Sequence, residues 1–256
     1  MRLALSLLKP RYHLSYATVV AAALLFARAP DGMLGARLIA LYLVFNVLLY
    51  GGIYIFNDVA DARADAAHRH KRCRPIPSGQ LSMRTAVVSA VALMASGLLA
   101  IALLFPPSVA IASCATLVLN ATYSGGGRNV PYLDVVLNGA PHAVRFLIGA
   151  LLVGQTPSAG HLVAWFCLAA GIASVRRLVE LEAGGQANRP VLRHYSARGL
   201  SLAADLGILT ILALCILDGF QSPGFYVIVV TAYVLFVLGA RRSPVAHGRL
   251  AWLWLR

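Results

Sequence analysis

The chain is 256 residues long, 59% hydrophobic and 12% charged, with a mean hydropathy of +0.76. That composition lies outside the soluble globular range and reads as one polytopic integral-membrane domain over residues 1–256. The formal net charge of +13 would point to nucleic acid in a soluble protein. No stacking aromatics or basic helices accompany it, so nucleic acid is excluded and the cations belong to loops facing anionic lipid and anionic substrate.

In chain order, residues 1–13 are short, basic and apolar and suit an interfacial segment. Ala27-Arg28-Ala29 imitates a signal-peptidase site, but Pro30 follows directly and seven more apolar spans come after, which argues against a signal peptide. Apolar spans fall at roughly 14–27, 37–56, 85–104, 107–122, 133–153, 161–179, 201–218 and 224–240, several near the ~20 residues that cross a bilayer. Placing both termini in the cytoplasm puts 19 of the 22 Lys and Arg on one side; Arg28 and Arg37 lie opposite and Arg145 inside the fifth span. So lopsided a split predicts about eight spans with the cationic loops cytoplasmic, in a bacterial inner membrane. The terminal Ala-Trp-Leu-Trp-Leu-Arg is too short to cross and reads as an interfacial stub. Cys73, Cys114, Cys167 and Cys215 form no C-x-x-C pair and predict neither disulfides nor a thiolate metal site.

The first cytoplasmic stretch, Asn57 to Gly79, holds three of the chain's nine acids within eight positions. Asp58, Asp61 and Asp65 are spaced i, i+3 and i+7, so on a helix they share a face with Asn57. Arg63, Arg69, Lys71, Arg72 and Arg74 follow or interleave, and the run closes in a Pro/Gly turn. Carboxylates beside cations are what a metal-bridged phosphate site requires: Mg²⁺ takes a few hard oxygens and leaves positions for phosphate and water, while Lys and Arg neutralise the remaining charge. A solvated basic loop is the alternative, and the collinear acids at the membrane end of a helix tell against it.

The second region is Tyr123-Ser124-Gly125-Gly126-Gly127-Arg128, then Asp134, Asn138 and Arg145 along one helical face. An arginine inside an apolar span costs roughly 2.5–3.5 kcal/mol at mid-span, so Arg145 is expected to face the interior and meet an anion, either Asp134 or a substrate phosphate. The triple glycine either lets backbone N–H groups approach a phosphate or forms a turn. The third region sets Arg176, Arg177 and Glu180 before Arg189-Pro190-Val191-Leu192-Arg193-His194-Tyr195. Arg176 and Glu180 have ion-pair spacing. His142 and His161 lack a second His at ligand spacing, which argues against zinc.

These residues resemble the UbiA superfamily of intramembrane prenyltransferases. Its N-D-x-x-D-x-x-x-D motif, followed by basic residues and R-P-[IL]-x-x-G, is matched at Asn57, Asp58, Asp61, Asp65, Arg74, Pro75, Ile76 and Gly79. Tyr123 and Arg128 are similar to the family's Y-x-x-x-K loop, and Lys9-Pro10-Arg11 to its N-terminal Arg-Pro. The resemblance covers about residues 8–200. It implies an all-α transmembrane bundle around a central cavity capped on the cytoplasmic side. Asn57, Asp58, Asp61 and Asp65 would then hold Mg²⁺ on a diphosphate leaving group, with Lys71, Arg74 and Arg128 on its oxygens and Asp134 in the catalytic set. The family's second D-x-x-x-D is replaced by Arg176 and Glu180. The R-R-L-V-E-L and R-P-V-L-R-H-Y-S segments, with the order His68, Lys71, Arg74, resemble the branch that makes polyprenyl-phosphate phosphoribose, although Arg69 stands where that branch carries Pro. The expectation is a Mg²⁺-dependent transferase acting on a polyprenyl lipid, with phosphoribosyl diphosphate as soluble donor and a lipid phosphate as nucleophile. Asn57, Arg74, Tyr123, Asn138, Arg145, Arg176, Arg177, Glu180, Arg189 and Tyr195 would bind substrate. Transfer of a prenyl chain from its diphosphate to a small acceptor is the alternative; a lipid or anion transporter, which Arg145 and Asp134 would also fit, is the alternative of another class.

Overall fold

The computed structural model describes residues 9–28, 32–67, 71–185 and 189–242. Residues 1–8, His68, Arg69 and the terminal stub at 251–256 lie outside the described residues. Eight long helices make up most of the described chain, joined in places by short 3-10 turns: α1 (Ala17–Phe26), α2 (Leu34–Ala66), α3 (Met83–Leu104), α4 (Pro107–Ser124), α5 (Leu133–Leu152), α6 (Ala159–Glu182), α7 (Ala197–Leu217) and α8 (Pro223–Arg242). Each coincides with one of the apolar spans read from the sequence. Six of them (α2, α3, α5, α6, α7 and α8) are long and apolar enough to cross a bilayer; α1, counted from His13, is shorter. α4 spans 18 residues, but the Asn, Thr, Ser and Tyr of its C-terminal third dilute its apolar run.

Local chemistry sets the helix starts. Ser82, Ser158 and Ser196 each accept a backbone N–H from the third residue on (Thr85, His161 and Gly199), so α3, α6 and α7 all begin on a side-chain cap. α2 runs on for ten residues past the end of the apolar span at 56, carrying the three aspartates on the helix that their spacing predicts. Its Tyr42–Leu49 stretch is π-helical, a widened turn that places the fully buried Asn46 in an otherwise apolar run.

The chain forms two compact units, Met1–Asn120 with Arg145–Thr156, and Ala121–Val144 with Pro157–Arg256. In the first, α2 packs along α3, and α5 lies against α1 so closely that a Cβ at Gly149 would run into the Val19 carbonyl. Phe26 and Phe146 meet edge to face beside that contact, ring centroids 5.8 Å apart. In the second, α6 and α7 form the most extensive helix pair. The buried Tyr233 of α8 donates its hydroxyl hydrogen to the Ala204 carbonyl at 2.5 Å, in the space left by the missing side chain of Gly171, where a Cβ would sit 2.7 Å from the tyrosine oxygen.

Replacing Gly149 by Ala should destabilise the protein by about 1–3 kcal/mol, because the obstruction is backbone and cannot rotate away. Gly35→Ala, in α2 with open space around it, should leave thermal unfolding in detergent unchanged or slightly raised.

Candidate active site

The first cluster lies in the last turns of α2. Asp58 and Asp65 are buried, at 5% and 3% exposure, whereas Asp61 and Asn57 are half-buried. Two turns separate Asp58 from Asp65, and Arg74 bridges them: its Nη1 lies 3.3 Å from Asp58 Oδ1 and 2.6 Å from Asp65 Oδ2. Lys71 approaches Asp65 at 3.8 Å from a more exposed position. Arg74 is held by the turn that follows it. Ser78 N–H donates to the Arg74 carbonyl, Gly79 N–H to Ile76 and Leu81 N–H to Pro75; Gly79, with φ 77°, supplies the left-handed residue. The turn drives Ile76 into a cluster with Ile55, Ala62, Ala86 and Ala90 between α2 and α3. A buried isoleucine therefore fixes the guanidinium two residues before it.

Lys9 is an addition that the acid-cluster reasoning missed. Its Nζ lies 2.6 Å from Asp58 Oδ1, on the same oxygen that Arg74 approaches. The signal in the sequence was the Lys9-Pro10-Arg11 tripeptide, which carries no indication that its lysine reaches α2. Among the described residues no three His, Cys, Asp or Glu side chains are drawn together tightly enough to enclose an ion. The two buried carboxylates nevertheless present hard oxygens that converge on a single guanidinium nitrogen, a donor set that suits Mg²⁺ with water or phosphate completing its shell.

The second cluster belongs to the other unit and assembles from α4, α5, α6 and the loop after α6. Asp134 is fully buried. Its Oδ2 accepts from Arg177 Nε at 2.5 Å and faces Arg189 Nη1 at 3.7 Å, and its Oδ1 accepts from the Tyr195 hydroxyl. Glu180 is bound at Oε1 by Arg176 Nε at 3.1 Å, and at Oε2 by Arg177 Nη1 at 3.0 Å and Arg189 Nε at 3.3 Å. Three guanidinium groups thus answer two carboxylates, and every carboxylate oxygen is engaged. The Tyr123 hydroxyl hydrogen-bonds Arg189 and Asn138, and Asn138 Nδ2 donates to the Asp134 carbonyl at 2.6 Å. Burial, and then the Asp134 carboxylate, push the Tyr195 phenol above its usual range, so it remains a donor. The same oxygen accepts the Tyr132 N–H at 2.8 Å. Val191, Leu192 and Tyr195 pack with Val135, Leu178 and Leu200, anchoring Arg189 from the residues after it.

The sequence placed Tyr123, Asp134 and Asn138 in one region and Arg177, Glu180, Arg189 and Tyr195 in another, joined only by the family resemblance; the structure gathers them into one cluster. The Asp134–Arg145 pairing is not made. Asp134 takes Arg177, and Arg145, four per cent exposed, lies in the first unit with its guanidinium carbon 4.0 Å from the centre of the Tyr50 ring. A guanidinium eleven residues along a helix from a carboxylate is about 16 Å away at 1.5 Å per residue, too far to pair. Arg145 Nε and both polar atoms of Asn46 are buried without a hydrogen-bond partner among the described residues. Arg128 stands half-buried in the short turn Gly127–Asn129. Gly127 in that turn is packed rather than open, since a Cβ there would strike Leu137 and the Thr122 carbonyl.

An all-helical membrane protein with acidic and cationic side chains gathered at helix ends is the class that this fold defines. Residues 15–254 match the UbiA prenyltransferase family, and the chain belongs to that family. It is similar to the decaprenyl-phosphate phosphoribosyltransferase of Corynebacterium glutamicum, 31% identical over 173 residues that make up 66% of this chain and 50% of that protein. It is also similar to the digeranylgeranylglyceryl phosphate synthase of Methanothrix thermoacetophila, 31% identical over 160 residues, 59% of this chain and 57% of that one. The chain thus spans about half the length of these curated relatives. In fold it matches a UbiA homologue from Archaeoglobus fulgidus bound to GPP and Mg²⁺, with a TM-score of 0.77 over 99% of this chain and 96% of that one at 15% identity.

Substituting Asn for Asp134 leaves the buried Arg177 charge short of its closest partner. The expected cost is on the order of 3–5 kcal/mol, measured as a lowered unfolding midpoint in detergent. Arg176→Gln, on the more exposed arm of the cluster, should shift that midpoint little.

Proposed function

We propose that the protein is a Mg²⁺-dependent intramembrane transferase that moves a 5-phosphoribosyl group from phosphoribosyl diphosphate to a polyprenyl phosphate at the cytoplasmic face. The observation that carries this reading is the composition of the second cluster. Its three arginines exceed its two carboxylates by one charge, and no carboxylate oxygen is left over for a metal. Arg176 and Arg189 are its partly exposed members, with side-chain exposures of 35% and 28%. A cation surplus with accessible guanidinium edges recognises a phosphate monoester in bidentate fashion. A prenyl donor needs one diphosphate site; a reaction between two phosphorylated substrates needs a second, metal-free anion site. The similarity to the Corynebacterium phosphoribosyltransferase supports the same choice.

Asp58 and Asp65, with Asp61 and Asn57 beside them, would hold the magnesium, which when bound supplies positive charge to the leaving diphosphate oxygens. Arg74 and Lys71 would bind those same oxygens, and the buried Ile76 fixes the Arg74 backbone beside them. In the reaction a phosphate oxygen of the lipid attacks C1 of the ribose. The C1–O bond to diphosphate breaks, and diphosphate leaves with the electron pair. Arg176 and Arg189 orient the lipid phosphate, Tyr123 holds Arg189, and the buried Arg177, with Asp134, Glu180 and Tyr195, positions both arginines. The second reading, prenyl transfer from a prenyl diphosphate, draws support from the Methanothrix relative and from the diphosphate side of the same first cluster.

Purified protein in lipid nanodiscs, given labelled phosphoribosyl diphosphate and polyprenyl phosphate, is expected to form a labelled lipid only with Mg²⁺ present. Asp58→Asn should lower that rate by at least about a hundredfold, in line with loss of a metal-held transition-state contact. Arg189→Gln should raise KM for the lipid phosphate more than it lowers kcat. Turnover of a prenyl diphosphate with a small acceptor, and no labelled lipid phosphoribose, would overturn the assignment in favour of the second reading.

A further inference from the structure

Lys9 adopts φ 48° and ψ 61°, a left-handed conformation that ordinary side chains rarely take and that the following Pro10 makes harder still. The strain is maintained by what the side chain reaches. Its ammonium is 2.6 Å from Asp58 Oδ1 and lies over the Tyr54 ring, 5.9 Å from the centroid, and the side chain is only 17% exposed. Asp58 Oδ1 therefore carries two cations, Lys9 and Arg74. They are not held alike. Arg74 is shared with Asp65 and anchored through Ile76 in the α2–α3 core, whereas Lys9 sits on a strained backbone ahead of α1 and reaches Asp58 through a flexible four-carbon stem. Of the two partners, Lys9 is the exchangeable one.

We propose that Lys9 is an internal counter-cation that competes with the divalent ion for Asp58 Oδ1. It yields the oxygen only when the ion arrives with a diphosphate, whose oxygens then take the displaced ammonium. This rests on the reading of Asp58 as a magnesium ligand. The consequence is an order of binding: the ion alone must displace an ammonium held at 2.6 Å and leaves it without an anion, while the ion with diphosphate offers Lys9 a new anion. Metal and diphosphate thus bind cooperatively through one lysine, and departure of the diphosphate restores the Lys9–Asp58 pair.

The test is Mn²⁺ binding followed by electron paramagnetic resonance, on the full chain in nanodiscs, with and without inorganic pyrophosphate. Lys9→Met should bind Mn²⁺ alone at least about fivefold more tightly than the unaltered protein, a coupling of ordinary size, and should lose most of the enhancement that pyrophosphate gives. Lys9→Arg, which keeps the charge, should restore weak binding of the ion alone. Arg63→Met, which removes an exposed cation from the same helix, should change nothing, separating direct competition from a general loss of positive charge. Thermal unfolding in parallel checks that each variant is folded. If Lys9→Met binds Mn²⁺ alone no more tightly than the unaltered protein, or Arg63→Met tightens it equally, the competition is wrong while the metal site stands. If neither protein binds Mn²⁺ even with pyrophosphate, the metal reading of Asp58 fails and the Lys9 proposal falls with it.

Discussion

A carboxylate buried in a chain this apolar persists in its charged form only if a cation answers it, and that constraint shapes both polar clusters. Bare burial would cost several kcal/mol per ion even after relaxation. Asp58 and Asp65 meet Arg74, with Lys9 and Lys71 at their sides; Asp134 and Glu180 meet Arg177 and Arg189. The same constraint explains why the acids are so few and so placed. A span that must enter a bilayer tolerates a carboxylate only where its partner folds onto it.

Both clusters hold their key arginine in the same way. Arg74-Pro75-Ile76 and Arg189-Pro190-Val191-Leu192 each place a guanidinium one residue before a proline, with buried apolar side chains directly after it. Proline fixes the backbone angle, and the apolar residues sink into a helix–helix crevice. The backbone beside each arginine is thereby fixed, while Asp58 and Asp65 take the Arg74 side chain and Asp134, Glu180 and Tyr123 take that of Arg189. Hydrophobic burial, the strongest force available to a short loop, is thus converted into electrostatic positioning. The leftover orphan groups, Asn46 and Arg145 Nε, sit in the first unit well inside apolar helices, where a bound water is the ordinary means of satisfying them.

Arg177 and its neighbours Arg176 and Arg189 differ in burial. Arg177 is one per cent exposed and touches both carboxylates, so it serves as the structural centre. The two outer arginines keep part of their surface open while also pairing with Glu180. Adjacent residues of identical type in one helix therefore differ in exposure, set by which face of α6 each occupies.

Much of this was legible in the residues. Apolar runs separated by basic or Pro/Gly segments determined the order of the helices, though six of them rather than eight are long and apolar enough to cross a bilayer among the described residues, and the i, i+3, i+7 spacing of Asp58, Asp61 and Asp65 determined that they share a face, because helical periodicity is a local property. What the spacing could not reach was partnership across the fold. That Lys9 answers Asp58 across 49 positions and that Asp134 takes Arg177 rather than Arg145 depend on which surfaces pack together, and packing is fixed by the folded chain as a whole rather than by any one of its segments.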